Sequence, residues 1–239
     1  EILQSFKVLE RATFIYAHGL SFTQHRLHQK FPNYEHVLLA PKGIASELRK
    51  RYKKGLKSPA VACFEHASGE THNEISQLSR ALGFLEPLVE ASFEEEMQAD
   101  LFSEQSLLCS VLPEAARLSY ETLVQKGHKP EIAYLECWFE LKLIAETLVD
   151  KGPEAFFDLI SPTALKGGEK GTELLFDKEY QKKLEKLLDD VESGDFLEKS
   201  GALSVPALRH QARERWKKSS LGRIHEKYKN ELYCEETNT

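Results

Sequence analysis

Methionine is nearly absent: Met97 is the only one in 239 residues, and the chain opens on Glu1 inside a helix-patterned stretch that runs to Leu9. That opening creates the expectation that an N-terminal part precedes this sequence. Apolar runs are short. None approaches the ~20 residues a membrane-spanning helix requires, and no basic-then-apolar leader is present, so no membrane partner is expected. Cysteine is sparse and unpaired in pattern. Cys63, Cys109, Cys137 and Cys234 have no CxxC spacing, and three of them sit among apolar residues. They read as reduced, buried thiols of a cytoplasm-like compartment (an organelle is the alternative), not as zinc ligands. Excess positive charge is lacking too. The net charge is −6, which disfavours nucleic acid as a partner. The phosphate-binding word GxGxxG is missing. The densest glycine cluster, GGEKG at 167–171, has the wrong spacing and follows no strand-like run.

What is present falls into two textures. In the first third, Ala12 to Ala17, His36 to Ala40 and Pro59 to Phe64 are short apolar runs rich in β-branched or aromatic residues and bounded by Gly or Pro. They predict buried strands. Helical patterning lies at Ser21 to Lys30, Ile44 to Lys54 and Glu70 to Leu82, and the alternation predicts a parallel sheet. From about Ala91 the strands stop and long helical patterns follow: Glu94 to Leu112, Pro113 to Lys126, Pro130 to Lys151, Lys178 to Glu192 and Pro206 to Leu232. The fold class expected is therefore α/β followed by all-α, with a seam near residues 85–92.

Four acids in two pairs carry the chemistry. Asp100 and Glu104 are four apart, and so are Glu136 and Glu140. On a helix each pair shares one face. The first stripe continues through Leu107, Leu108 and Val111; the second runs from Ile132 to Leu143 and Ile144. Both pairs thus lie on stripes expected to face the core, where like charges repel and unpaired carboxylates are costly. No Lys or Arg lies within four residues of Asp100 or Glu104. Hard oxygen donors without an adjacent base suit Mg²⁺ or Mn²⁺, and two pairs suit two ions ~3.5–4 Å apart. The plainer reading is that the acids meet solvent, or basic residues from elsewhere in the fold. Glu96, one turn before Asp100, is either an acid facing substrate or metals, or a solvated member of the run at 94–96.

Other signals are weaker. His18 and Lys42 each close a strand-like run, where open α/β sheets place ligands, although a lone residue there is more often a loop residue. Ser161, before Pro162, reads as a loop serine. Arg209 to Lys229 carries eight Lys or Arg against two Glu and reads as one solvated or partner-facing helix.

The words AHG at 17–19, APK at 40–42, ASG at 67–69, DLFSEQSLLC at 100–109, ETLVQKGHKPEIAYLECWFELKLI at 121–144 and SGDF at 193–196 together resemble ketol-acid reductoisomerase, in order and at similar intervals. The resemblance covers nearly the whole chain. It implies the C-terminal part of a Rossmann-like parallel sheet followed by a knotted helical domain: residues 1–88 as a partial dinucleotide-binding domain, 89–233 as a metal-binding and dimerising domain, and 234–239 as a tail. It implies an enzyme of branched-chain amino-acid biosynthesis in which Mg²⁺ promotes alkyl migration in a 2-acetohydroxy acid and NADPH (or NADH) reduces the product to a 2,3-dihydroxy acid. By motif, Asp100, Glu104, Glu136 and Glu140 are metal ligands, His18, Lys42 and Glu96 are catalytic, and Ser161 binds the substrate carboxylate. The short members of the family share each site between two subunits, so a homodimer or an oligomer of dimers is implied. Cofactor-binding residues are not assigned, because the glycine loop is not in this sequence.

The chain departs from the family pattern at Ile44 and Ala45, where Pro-Gly is usual, and at His66, Ser103 and Pro162. Two other readings compete. One is a non-catalytic homologue that dimerises or binds metal. The other is a helical di-metal nucleotide pyrophosphohydrolase, although those enzymes space their acids by three and carry no preceding α/β segment.

Overall fold

The computed structural model describes residues 12–200 and 204–233. The helical stretch expected over 1–9, Cys234 and the 234–239 tail lie outside these residues. The chain divides into two compact units, Glu1–Leu101 and Phe102–Thr239, and the division falls in the last turn of a helix, Phe93–Ser103.

In the first unit the elements run β1 (Thr13–Tyr16), α1 (Leu20–His25), α2 (Leu27–Lys30), β2 (Glu35–Pro41), α3 (Ala45–Lys53), β3 (Ala60–His66), α4 (Gly69–Ala81), β4 (Val89–Glu90) and α5 (Phe93–Ser103). The four strands form one sheet in the order β1-β2-β3-β4. β2 is central because its apolar run is unbroken, with Val37 to Ala40 all buried. Its side chains alternate between faces as strand geometry requires. Leu38 and Ala40 pack with Phe22 of α1 and Phe93 of α5, while Val37 and Leu39 pack with Ile75 of α4 and Phe84.

The sheet is not all-parallel as expected. β1 and β2 are parallel, as are β3 and β4, but β3 runs antiparallel to β2. The reason lies in α3. A crossover helix must bury a face on the sheet to return the chain to the start of the preceding strand, and α3 has no buried residue. The chain instead re-enters beside the end of β2 that it left, with Pro41 opposite Ala60 and the Lys42 N–H donating to the Pro59 carbonyl at 3.0 Å. The helix expected over 21–30 is broken in two by Arg26 in the left-handed region, at φ 46°.

The second unit continues with a π-helical segment, Glu104–Leu108, then α6 (Val111–Gln125), α7 (Pro130–Tyr134), a second π segment (Leu135–Phe139), α8 (Glu140–Lys151), α9 (Pro153–Leu159), α10 (Pro162–Leu175), α11 (Lys178–Glu192), α12 (Asp195–Ser200), α13 (Val205–Lys218) and α14 (Ser220–Leu232). Its core is aromatic. Tyr120, Ala133, Tyr134 and Leu221 are buried together, with Trp138 and Trp216 at the margin. The Tyr120 hydroxyl meets Ser220 Oγ at 2.8 Å, and the Tyr134 hydroxyl meets both His225 Nδ1 and the Tyr233 hydroxyl at 3.0 Å. These contacts bind α14 to α6 and α7.

The single helix expected over 206–232 is two helices. Ser219 leaves helical conformation, at φ −67° and ψ 155°, and its hydroxyl accepts from the Gly222 N–H at 2.9 Å, a serine cap that starts a new helix. The basic stretch is therefore not one continuous face. The glycines at 167, 168 and 171 lie inside α10. Helices α8 to α10 have no fully buried residue. No helix among the described residues is long and apolar enough to cross a membrane.

Candidate metal and substrate site

Because β1 and β2 are parallel, His18 and Lys42, which follow them, leave the sheet at the same edge. Helix α5 lies against that edge through Phe93, whose ring stacks on Phe22 at 3.8 Å, and so delivers Glu96. The Glu96 side chain is only 2% exposed, a location that demands compensation for its charge. Two groups supply it. Lys42 Nζ lies 2.6 Å from Oε1, and the backbone N–H of Gly19 donates to Oε2 at 2.7 Å. The Lys42 ammonium also reaches Asp100 Oδ1 at 3.4 Å. The cation absent from the neighbourhood of Asp100 in sequence thus arrives from the end of β2, and the structure brings together Lys42, Glu96 and Asp100. His18 is exposed, one residue before the amide that holds Glu96.

The other acids sit at two unusual turns. Glu104 opens the first π segment. Glu136 lies within the second, and Glu140 begins the α-helix that follows it. A π turn closes hydrogen bonds one residue later than an α turn, and such turns recur at functional sites. The stripes that were expected to face the core do not. Leu107 and Leu108 are 52% and 53% exposed, and Ile132, Leu143 and Ile144 are between 44% and 50% exposed. Glu104, Glu136 and Glu140 are exposed with them. The sequence pattern marked an apolar face correctly but not what covers it, because periodicity does not separate a face buried in its own chain from one left open. Among the described residues no three His, Cys, Asp or Glu side chains converge as a metal cage. The donor set is nonetheless of the hard-oxygen kind that Mg²⁺ takes.

Ser161 is not a plain loop residue. It caps α10, its hydroxyl accepting from the Ala164 N–H at 3.1 Å. Ser followed by Pro at the first helical position is the signal that announces such a start. The capping bond uses a lone pair and leaves the hydroxyl proton available for donation. Cys109 departs from the expected buried thiols: Cys63 is buried, Cys137 is partly exposed and Cys109 is exposed, all three free. Gly19 was not singled out in sequence beyond its place in the AHG word. A glycine directly after a strand end is the only signal that points to it.

Residues 93–232 match the family model described as ketol-acid reductoisomerase, C-terminal domain. The chain belongs to the ketol-acid reductoisomerase family. Ketol-acid reductoisomerase (NADP(+)) of Haloarcula marismortui is 35% identical over 162 residues, which is 67% of this chain and 46% of that protein. The Sulfolobus acidocaldarius enzyme of the same name is 32% identical over 187 residues, 77% of this chain and 56% of that one. The chain thus spans about half the length of the curated ketol-acid reductoisomerases it matches. Among solved structures, an NADH-preferring ketol-acid reductoisomerase from an uncultured archean superposes with a TM-score of 0.80 at 26% identity, over 93% of this chain and 68% of that one. Membership of this family displaces the pyrophosphohydrolase reading. It also accounts for the architecture, a partial Rossmann-like sheet followed by helices, with the sheet mixed rather than parallel.

Proposed function

We propose that this chain carries the metal- and substrate-binding part of a ketol-acid reductoisomerase of branched-chain amino-acid synthesis, acting in a cytoplasm-like compartment. The substrate is a 2-acetohydroxy acid. The carrying observation is that Lys42, from the APK word, bonds Glu96 and reaches Asp100, so residues far apart in the family's pattern meet at one strand edge. In this reading Asp100, Glu104, Glu136 and Glu140 bind two Mg²⁺ ions. When bound there, the ions would supply Lewis-acid stabilisation of the charge that develops on the substrate's oxygens. Glu96 and Lys42 orient the substrate and hold protons at its reacting oxygens, with His18 beside them. Ser161 donates its free proton to the substrate carboxylate. NADPH or NADH, when bound, would supply the hydride for reduction of the rearranged ketone.

A homodimer completes the site. The apolar stripes that carry Glu104, Glu136 and Glu140 are exposed in the single chain, and in this reading a second copy covers them. Glu136, Glu140 and Ser161 of the partner subunit then face Asp100 and Glu104 of the first. Isothermal titration with Mg²⁺ tests the metal assignment: Glu140→Gln weakens binding by about tenfold or more. Unchanged affinity in a chain carrying both Asp100→Asn and Glu140→Gln sinks it.

A further inference from the structure

Glu96 is held from two sides, and the less conspicuous side is the backbone of Gly19. This glycine is not required for conformational freedom. Its φ is −74° and its ψ is −24°, angles any residue adopts. The requirement is space. A Cβ at this position would collide with the Phe93 carbonyl oxygen, stand 2.8 Å from Glu96 Oε2 and touch Met97 Cβ at 3.3 Å. The first of these atoms is backbone of α5 and has no rotamer with which to retreat. The loop after β1 therefore docks on α5 backbone to backbone, and Gly19 is itself buried there. At that approach its N–H points at Glu96 Oε2, 2.7 Å away, the short distance of a charge-assisted bond.

We infer that Gly19 is a positioning residue: its bare Cα and its N–H fix the rotation of the Glu96 carboxylate, so that Oε1 is turned to Lys42. The inference rests on the proposed function only for its catalytic consequence, since the contact itself lies wholly in the first unit. A carboxylate pinned by an amide on one oxygen is presented to Lys42 in a single orientation, without the entropy of a free terminal rotor. In Gly19→Ala the methyl group forces either the loop or the Glu96 side chain to move. The hydrogen bond from the Gly19 N–H and the 2.6 Å contact with Lys42 are then lost together.

Two measurements on the full chain test this. The first is spectroscopic and needs no activity. With ¹⁵N-glycine labelling the protein yields signals from 13 glycines. The Gly19 amide proton resonates downfield of an ordinary glycine and moves upfield in Glu96→Gln, where the acceptor is neutral. An unshifted Gly19 amide overturns the inference. The second is kinetic. Gly19→Ala lowers kcat by about tenfold or more while the KM for the acetohydroxy acid stays within about threefold, the signature of a disturbed orienting group rather than of lost binding. A folded Gly19→Ala protein with unchanged kcat, or one that loses only thermal stability, overturns it. If the unsubstituted chain fails to bind Mg²⁺, the proposed function fails, and the amide shift still decides the role of Gly19. The amide shift also decides it if Gly19→Ala does not fold.

Discussion

Tyr134 offers the sharpest stability experiment. Its ring is fully buried in the second unit, and burial pushes its phenol well above the ordinary tyrosine range, so it stays a neutral hydroxyl at any working pH. That hydroxyl meets two partners at 3.0 Å, His225 Nδ1 and the Tyr233 hydroxyl. Tyr134→Phe keeps the ring and its packing and removes both bonds. Each bond is worth about 1 kcal/mol net, and partners left dry cost more. Tyr233 sits at the margin and regains water, so a total near 1.5 kcal/mol is expected. With a urea dependence of about 2 kcal/mol per molar, the unfolding midpoint falls by about 0.7 M. Tyr134→Ala adds a cavity and costs about 3–5 kcal/mol. The assay is intrinsic to the protein. Trp138 and Trp216 are its only tryptophans, their rings lie 5.8 Å apart in this same cluster, and their fluorescence reports on the second unit alone. A Tyr134→Phe midpoint equal to that of the parent protein refutes the claim that this hydroxyl holds α14 to α7.

The shared site is tested by complementation. Asp100→Asn and Glu140→Gln homodimers are nearly inactive, whereas a mixed dimer concentrates both lesions in one site and recovers up to one intact site; confirmed subunit exchange without recovered activity contradicts sharing. Acid stability is tested at Glu35, whose carboxylate accepts from the Thr71 hydroxyl, the Ser68 N–H and the Thr13 hydroxyl. These bonds, that of Thr71 foremost, lower it from 4.5 to about 2. A carboxyl depressed in the folded state contributes stability that is present above about pH 4.5 and is lost as pH falls toward 2. Thr71→Val therefore shifts acid unfolding to higher pH. A Glu35 carboxyl that titrates near 4.5 by ¹³C NMR in the parent protein removes the basis of this expectation.

Much of the fold was legible because local pattern and tertiary role agree. β2 is a run of apolar residues and becomes the buried central strand; Glu70 to Leu82 repeats at helical period and becomes α4. Where they diverge, the missing information was tertiary. Whether β3 enters parallel or antiparallel depends on whether α3 packs on the sheet, and its sequence, ASELRKRYK, carries too little apolar surface to do so. Helices α9 and α10 went unseen because glycines and prolines mask a weak periodicity, although the Ser161-Pro162 cap was readable. In the site, the acids were legible as anomalies of charge on apolar faces. The Lys42 contact with Glu96 and Asp100 was not, because it joins positions 54 and 58 residues apart, and no local pattern encodes such a meeting. Gly19 was invisible for the same reason, since its constraint is the backbone of another element.

The two π turns bear on how this helical unit tolerates change in length. Each holds one peptide more than the α turn it replaces, and so behaves as an insertion that the helix has absorbed without breaking. Removing a single residue from Leu135–Phe139 would restore an ordinary helix with no bond left open, and by local criteria would be an improvement. A turn of five π residues and a turn of four α residues carry the chain through nearly the same angle, so Glu140 and everything beyond it would keep their face. What would change is the widened turn itself, which carries Glu136. At these two places a one-residue deletion would spare the helix beyond and alter only the setting of the acid inside the turn.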